Sequence, residues 1–502
     1  MSAARHVLIA GGGLAGIAAA VALAQARTRV TLIETRKKLG GRATSFADVR
    51  SGETLDNCQH VVLGCCTNYL SLLDRLDARR HLRWTHTQHW IEPGGRTSMI
   101  APGMLPAPLH FLGSVLGARF LSLGEKIALG RAMRTILKAR RAEWRTRTFA
   151  DFLTAARQPE RLVRRFWAPV VVSACNLNVE RVCAAAALQV FQEGFLASAT
   201  AADVGLSAVP LVELYAGVEA IIAKAGGTLR LGCSVARLDA TQIVTTTGET
   251  ISADRVICAL PPERAAEVAS DALRAADGRF DMYSRLTHSP ILGVHLRFDR
   301  GVLKTPHAVL VDGSVQWLFR KDDTGHALHA VISAADDWMA LTEAEIAERV
   351  RREIAEYLPA ARDARLLWAR AVKEKRATFA VTPEAEALRP PPLPAAWRGP
   401  VPAVILAGDA VQTGWPATME GAVRSGYAAA ALALARSPRE FLTPDARISG
   451  LYSLLARAAR PRSESPLIVA PESSRPGAGT SIGAHEQVES KMMAGTATGA
   501  ER

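Results

Sequence analysis

The sequence has little that would anchor it in a membrane or staple it shut. No run of about 18 apolar residues is free of charge, so no bilayer-crossing helix is expected. The lead before the first apolar run is too short and too weakly charged for a secretory signal, and none is expected. The seven cysteines are odd in number, with no CxxC pair and no Cys/His set at zinc spacing. A disulfide scaffold and a structural zinc site are thereby excluded, and no metal is expected. The thiols read as free and mostly buried in a reducing cytoplasm. Helix-turn-helix, zinc-finger and RNA-binding signatures are missing, so nucleic acid is not expected as a partner. No internal repeat is present.

What is there is a globular composition, 49% apolar and 22% charged over 502 residues, too long for one ordinary core. The net charge of +13 fits an anionic membrane surface or a compositional habit, and the sequence leaves both open. After about residue 460 the chain turns to Pro, Ser, Gly, Ala and Thr, which predicts a disordered tail over 460–502.

The chemistry begins at the N-terminus. His6–Ala10 is a short apolar run suited to a buried parallel strand, Leu14–Ala26 an Ala- and Leu-rich helix, and Arg29–Glu34 a second strand ending on an acid. Between the first two lie Gly11, Gly13 and Gly16, a GxGxxG turn. The first glycine permits the tight turn, the second lets a pyrophosphate approach the backbone, and the third lets helix and strand pack closely. The amides at the helix start, at Leu14 and Ala15, then face the phosphates, and Glu34 stands where a carboxylate binds ribose hydroxyls. The fold class this predicts is α/β with a Rossmann-type dinucleotide domain.

Leu39-Gly40-Gly41-Arg42 follows Glu34. This resembles the extended fingerprint of the flavin amine oxidase and phytoene desaturase superfamily, and the resemblance makes FAD the expected cofactor. An arginine at 42 suits pyrophosphate charge. Leu406-Ala407-Gly408-Asp409, a strand ending in Gly-Asp, precedes Thr418-Met419-Glu420-Gly421-Ala422 and a helix. This is similar to the superfamily's C-terminal FAD segment. The resemblance implies that Gly408 and Asp409 meet the ribityl–pyrophosphate region and that Met419, Glu420 and Ala422 lie at the flavin. Val235 matches the strand position whose backbone meets adenine.

Three segments resemble one branch, the squalene-associated FAD-dependent desaturases, better described as the hydroxysqualene dehydroxylases of bacterial hopanoid biosynthesis. They are Leu55-Asp56-Asn57-Cys58-Gln59-His60, the run from Phe166-Trp167-Ala168-Pro169 to Cys175-Asn176, and Leu188 to Phe195. The chain departs at Cys58, where glycine is expected, and at Leu177, where an acid is expected. The resemblance spans residues 6–435 and implies reduction of hydroxysqualene to squalene by reduced FAD, with loss of water. An unidentified electron donor must then recharge the flavin. Candidates for protonating the leaving oxygen are His60, Asp56 and Glu193, and more weakly Glu420. Their plain alternatives are a satisfied core histidine, a turn carboxylate and buried-pair acids. Gln59, Trp167, Cys175, Asn176 and Trp415 are the expected lining of a substrate channel, against the alternative that Cys175 is a packed thiol. Two rivals stay open: an oxidative carotenoid-type desaturase or amine-oxidase-like enzyme, and a non-catalytic prenyl-binding escort protein of the same fold.

The expected organisation is two-dinucleotide-binding-domain, with the FAD domain from 1–85, 205–265 and 399–440. It interleaves with a substrate domain of helices, 86–204, and mixed sheet, 266–398. Residues 105–147 run from apolar to Arg-rich, which suits peripheral contact with a membrane or a core helix pair with a basic face. The expected partner is a long-chain isoprenoid, and the expected location is the bacterial cytoplasm at the inner face of the membrane.

Overall fold

A computed structural model describes residues 5–394, 403–446, 448 and 450. The tail expected from residue 460 lies outside the described residues, as do 399–402 of the expected C-terminal FAD segment.

Five strands from three distant stretches of chain form one parallel sheet, in the order Thr228–Leu231, Arg29–Glu34, His6–Ala10, Arg255–Cys258, Ile405–Leu406. Every pairing in it is parallel. His6–Ala10 and Arg255–Cys258 are almost fully buried, as a sheet covered on both faces requires. The helices Leu14–Gln25 and Met419–Ala433 pack against each other on it through Gly426, where an added Cβ would lie 2.2 Å from the Ala15 carbonyl oxygen. Because all strands run the same way, their carboxyl ends share one edge. Gly11, Glu34, Ala259 and Gly408 each follow or end a strand there, at the edge where such sheets hold ligands. A three-stranded antiparallel meander, Val235–Leu238, Gln242–Thr245 and Thr250–Ser252, stands beside it.

The second layer is a seven-stranded mixed sheet in the order Leu366–Phe379, His288–Phe298, Ala327–Ser333, Trp317–Arg320, His307–Leu310, Gln88–Ile91, Thr97–Ile100. The helix Glu343–Tyr357 packs on it through Ile346, Val350, Ile354 and Tyr357. The strand Leu366–Phe379 is not visible in the sequence pattern. Its Lys and Arg residues interrupt the apolar alternation, yet it pairs with His288–Phe298 along nearly its whole length. Within 60–80 the α-helix is Thr67–Arg75, and Val61–Leu63 before it pairs as a strand with Val204–Ser207.

Residues 149–195 are mostly helical and include π turns at Val163–Trp167 and Val190–Phe195. Both turns carry segments of the resemblance. They bring Trp167 and Phe191 edge to face at 4.9 Å and Phe149 to within 5.9 Å of each. Such pairs add about 0.5–1.5 kcal/mol each beyond area burial.

Candidate functional site

Bare backbone from three strand ends meets at the carboxyl edge of the parallel sheet. Gly11 has φ +106°, and an added Cβ would lie 2.6 Å from the Ala259 carbonyl oxygen; at Gly16 it would lie 1.8 Å from the Gly11 oxygen. Those two glycines let the turn close on protein. Gly13 differs: its nearest heavy atom would be the Gly41 Cα, at 4.0 Å. Gly408 at φ +141° has nothing within 4 Å of its missing Cβ. Gly40 donates to the Gly12 oxygen at 2.9 Å, so the second glycine pair lies alongside the first turn. A cradle that side chains would fill, with first-turn amides at Leu14 and Ala15, fits a dinucleotide pyrophosphate.

Charged groups border the cradle. Glu34 accepts from the Gly12 amide at 2.7 Å and the Arg36 amide at 2.8 Å. Arg42 pairs with Asp409 at 2.5 Å and donates to the Ala377 carbonyl at 2.9 Å. The two arms of the cofactor signature, 367 residues apart, thus meet. Val235 is buried, two residues past Cys233, whose amide donates to the Glu34 carbonyl; its own carbonyl accepts from Arg264 at 2.7 Å. Thr418 caps the Gly421 amide at 3.1 Å, which leaves the Met419 and Glu420 amides as first-turn donors. Ala422 follows on the same turn, half-buried.

Glu420 needs correcting. Its fully buried carboxylate accepts from the Asn68 and Tyr69 amides at 3.1 and 2.8 Å and from Arg424 at 2.7 Å. It caps the helix Thr67–Arg75, so its backbone amide, not its carboxylate, is what it offers a cofactor.

The proton-donor candidates separate. Asp56 is spent: Ser45 Oγ at 2.7 Å, the Leu211 amide at 3.1 Å and Lys321 Nζ at 3.2 Å all bond its carboxylate. Glu193 is buried on the second π turn, 3.7 Å from Arg141 and close to Cys65. His60 stays near Arg42 and Asp56. Its Nδ1 donates to the Cys58 carbonyl at 3.0 Å, and burial holds its pKa below the ordinary histidine value. Asn57 donates to the Arg42 carbonyl and straps this segment to the cradle. Gln59 accepts from Lys321 at 3.0 Å.

Of the expected channel residues, Gln59 and Trp415 remain near the cradle. Trp415 lies under the Arg424 guanidinium at 4.9 Å, four residues before the helix start. The other three belong to packing instead. Trp167 is fully buried in the aromatic cluster, with Nε1 donating to Gln158 at 3.1 Å. The Cys175 thiol is buried, which pushes its pKa up to about 12. Asn176, at φ +51°, bonds the Ser289 carbonyl, Thr378 Oγ1 and the Ala334 amide, clamping its helix to the sheet.

Sequence reasoning missed Lys321, His295 and His329. His295 donates to the Asp56 carbonyl at 2.9 Å and stacks on His329 at 3.9 Å. His329 is fully buried, neither ring nitrogen has a partner among the described residues, and its Nε2 fills the space over Gly293, 2.7 Å from where a Cβ would be. The signal available was a histidine in each of two largely apolar strands, His288–Phe298 and Ala327–Ser333, which the register sets opposite one another. Also missed was Arg389, whose buried guanidinium donates to the carbonyls of Asp409, Val411 and Trp415 and so shapes the Gly-Asp segment. Among the described residues no group of three or more His, Cys, Asp or Glu side chains is placed to hold a metal ion.

Burial depresses His295 and His307 to about 4 from 6.5. A depressed histidine favours the unfolded chain once protons are offered. Stability is therefore whole above pH 6.5 and falls as pH drops towards 4, by on the order of 3 kcal/mol for each. Denaturant unfolding across that window is expected to show the loss, and His307→Phe to flatten it. An unchanged slope in that variant would show that another group controls the acid limb.

Residues 14–434 match the family described as flavin containing amine oxidoreductase. The chain is 30% identical to a hydroxysqualene dehydroxylase of Rhodopseudomonas palustris (strain ATCC BAA-98 / CGA009) over 87% of this chain and 99% of the relative. It is 29% identical to that of Sinorhizobium fredii (strain NBRC 101917 / NGR234) over 86% of this chain and 99% of the relative. A 15-cis-phytoene desaturase of Narcissus pseudonarcissus is 25% identical over 84% of this chain and 78% of the desaturase. Among solved structures, putrescine oxidase bound to putrescine has the same fold, with a TM-score of 0.64 at 17% identity, covering 86% of this chain and 99% of that one.

Proposed function

Because the chain belongs to the flavin containing amine oxidoreductase family and is an FAD-dependent oxidoreductase of two-domain α/β fold, we propose that it removes the allylic hydroxyl of hydroxysqualene, giving squalene and water. The observation that carries this is the 29–30% identity to two hydroxysqualene dehydroxylases over nearly their whole length, above the 25% shared with the phytoene desaturase.

FAD, when bound and reduced, supplies the hydride. The protein does the rest. Gly13, Gly41 and Gly408 leave the backbone bare for the pyrophosphate, and Arg42 offsets its charge. His60 carries the proton. Its Nδ1–H is committed to the Cys58 carbonyl, which leaves Nε2 to give a proton to the leaving oxygen as the carbon–oxygen bond breaks. Burial disfavours the charged imidazole, so a protonated His60 is a stronger acid than a histidine in water.

The test is anaerobic. The bound FAD is reduced, hydroxysqualene is added, and flavin absorbance is followed while lipids are extracted for mass spectrometry. Flavin reoxidation with squalene in matching amount is expected. A flavin that stays reduced, with phytoene instead bleaching the oxidised form, would replace this reading with a desaturase; no turnover in either direction would leave a prenyl-binding protein. His60→Gln is expected to keep its FAD and slow the reoxidation by about 10²–10⁴-fold. An unchanged rate would remove His60 from the proton path.

A further inference from the structure

The segment 104–138 exposes apolar side chains in a concentration found nowhere else among the described residues. Met104, Leu105, Leu112, Leu116, Leu123 and Ile127 all stand in solvent, with Met104 fully exposed and Leu123 at 70%. Burial here would release each from water at about 25 cal/mol per Å².

The helix Leu123–Lys138 shows how this surface is built. Glu125, Leu129, Ala132 and Ile136 face the protein at helical spacing. The opposite stripe reads Leu123, Ile127, Arg131, Arg134, Lys138, apolar at the N-terminal end and basic at the C-terminal end. Over 16 residues the helix is about 24 Å long, so the two halves sit at different depths once it tilts. The basic end opens into a groove of about 500 Å³ lined by Arg131, Arg134, Thr135, Lys138 and Trp144. Lys126 donates to the Leu116 carbonyl at 2.7 Å and fixes the short helix Leu112–Gly117 against the apolar end.

We propose that this is a lipid-docking face: the apolar end enters the acyl boundary of an anionic bilayer, and the groove beside it seats phosphate headgroups. The charge and the apolarity are ordered along one helix face as they are ordered along the normal of a leaflet, which selects a lipid surface over a protein groove. Trp144 adds an aromatic ring at the level of the headgroups, where indole is favoured. No helix among the described residues is long and apolar enough to cross a membrane, so contact through this face is shallow. The inference deepens the proposed function, since a hydroxysqualene substrate resides in the bilayer, but it stands on separate residues.

Flotation of the full chain with vesicles of phosphatidylcholine, with and without phosphatidylglycerol, tests it. Wild type is expected to float with the anionic vesicles and to release as salt rises. The Arg131→Gln/Arg134→Gln/Lys138→Gln variant is expected to bind them on the order of a hundredfold more weakly, about fivefold for each charge removed. The Leu112→Gln/Leu116→Gln/Leu123→Gln variant is expected to lose binding to both vesicle types. Every substituted residue is exposed, so both variants are expected to keep their FAD and their turnover of detergent-dispersed hydroxysqualene. Wild type that does not float, or variants that float as wild type does, would overturn the docking face. So would leucine substitutions whose sole effect in sedimentation is to split a dimer. Vesicle binding by a protein inactive on hydroxysqualene would sink the proposed reaction and leave the face standing.

Discussion

Gly13→Val is expected to give a folded protein that purifies without its yellow colour. Gly13 sits at φ −74° and ψ 179°, extended backbone that valine adopts without strain. Its missing Cβ points at nothing closer than the Gly41 Cα, 4.0 Å away. The first carbon of a valine side chain therefore meets protein only at ordinary van der Waals distance, and the side chain occupies the gap through which a pyrophosphate must pass. FAD affinity is expected to fall at least about a hundredfold, equivalent to about 2.7 kcal/mol. Comparing apo forms removes the stabilisation that bound FAD itself contributes, and the two apo proteins are expected to unfold at similar denaturant concentrations. The neighbouring control behaves oppositely. In Gly16→Ala the new methyl would lie 1.8 Å from the Gly11 carbonyl oxygen, so the first turn of the sheet must open and the fold itself suffers. Normal flavin content in Gly13→Val would show that the cofactor does not run past this position.

Glu420→Ala is expected to destabilise the protein by about 3–5 kcal/mol, as breaking a buried ion pair does. The Arg424 guanidinium, the backbone amides of Asn68 and Tyr69 and the Asn68 side-chain amide all lose a bond to this carboxylate together. Arg424 is itself nearly buried, and its remaining partner, Asp445, is half-exposed. The carboxylate also links the helix of the C-terminal FAD segment, Met419–Ala433, to the helix Thr67–Arg75, so its loss loosens both. A fall in the urea midpoint with unchanged slope is the expected result. A stable variant that has merely lost FAD would mean that the carboxylate serves the cofactor directly.

These two positions mark how far the sequence could be read. Gly11 and Gly16 declare themselves because what they do is local: each is glycine for a reason set by backbone atoms within a few residues or after the adjoining strand, and Gly13 is located by its fixed spacing between them. Glu34, Arg42 and Asp409 are legible for a related reason, since each lies at a fixed offset from a glycine turn or a strand end. The strand Leu366–Phe379 escapes because long charged side chains with apolar stems cover a sheet edge without giving a clean alternation.

The carboxylates and channel residues fail for another reason. Asp56, Glu193 and Glu420 look alike in the sequence, each an acid within a motif. What separates them from proton donors is the partner that arrives from elsewhere: Lys321 for Asp56, Arg141 for Glu193, Arg424 and the distant Asn68 for Glu420. Asn176 likewise reads as a channel residue until Ser289, Thr378 and Ala334 take its amide. His329 could not be singled out at all, because its significance is the absence of a hydrogen-bond partner among the described residues in a buried space left by Gly293. The sequence by itself determined the dinucleotide cradle, because bare backbone at a strand end is a property of the residues that make it, and FAD came from the resemblance of Leu39-Gly40-Gly41-Arg42 and Gly408-Asp409 to the flavin amine oxidase superfamily. Only the tertiary structure decided which polar groups remain free to act, because a buried side chain's hydrogen bonds and pKa are set by neighbours that the chain brings together from hundreds of residues away.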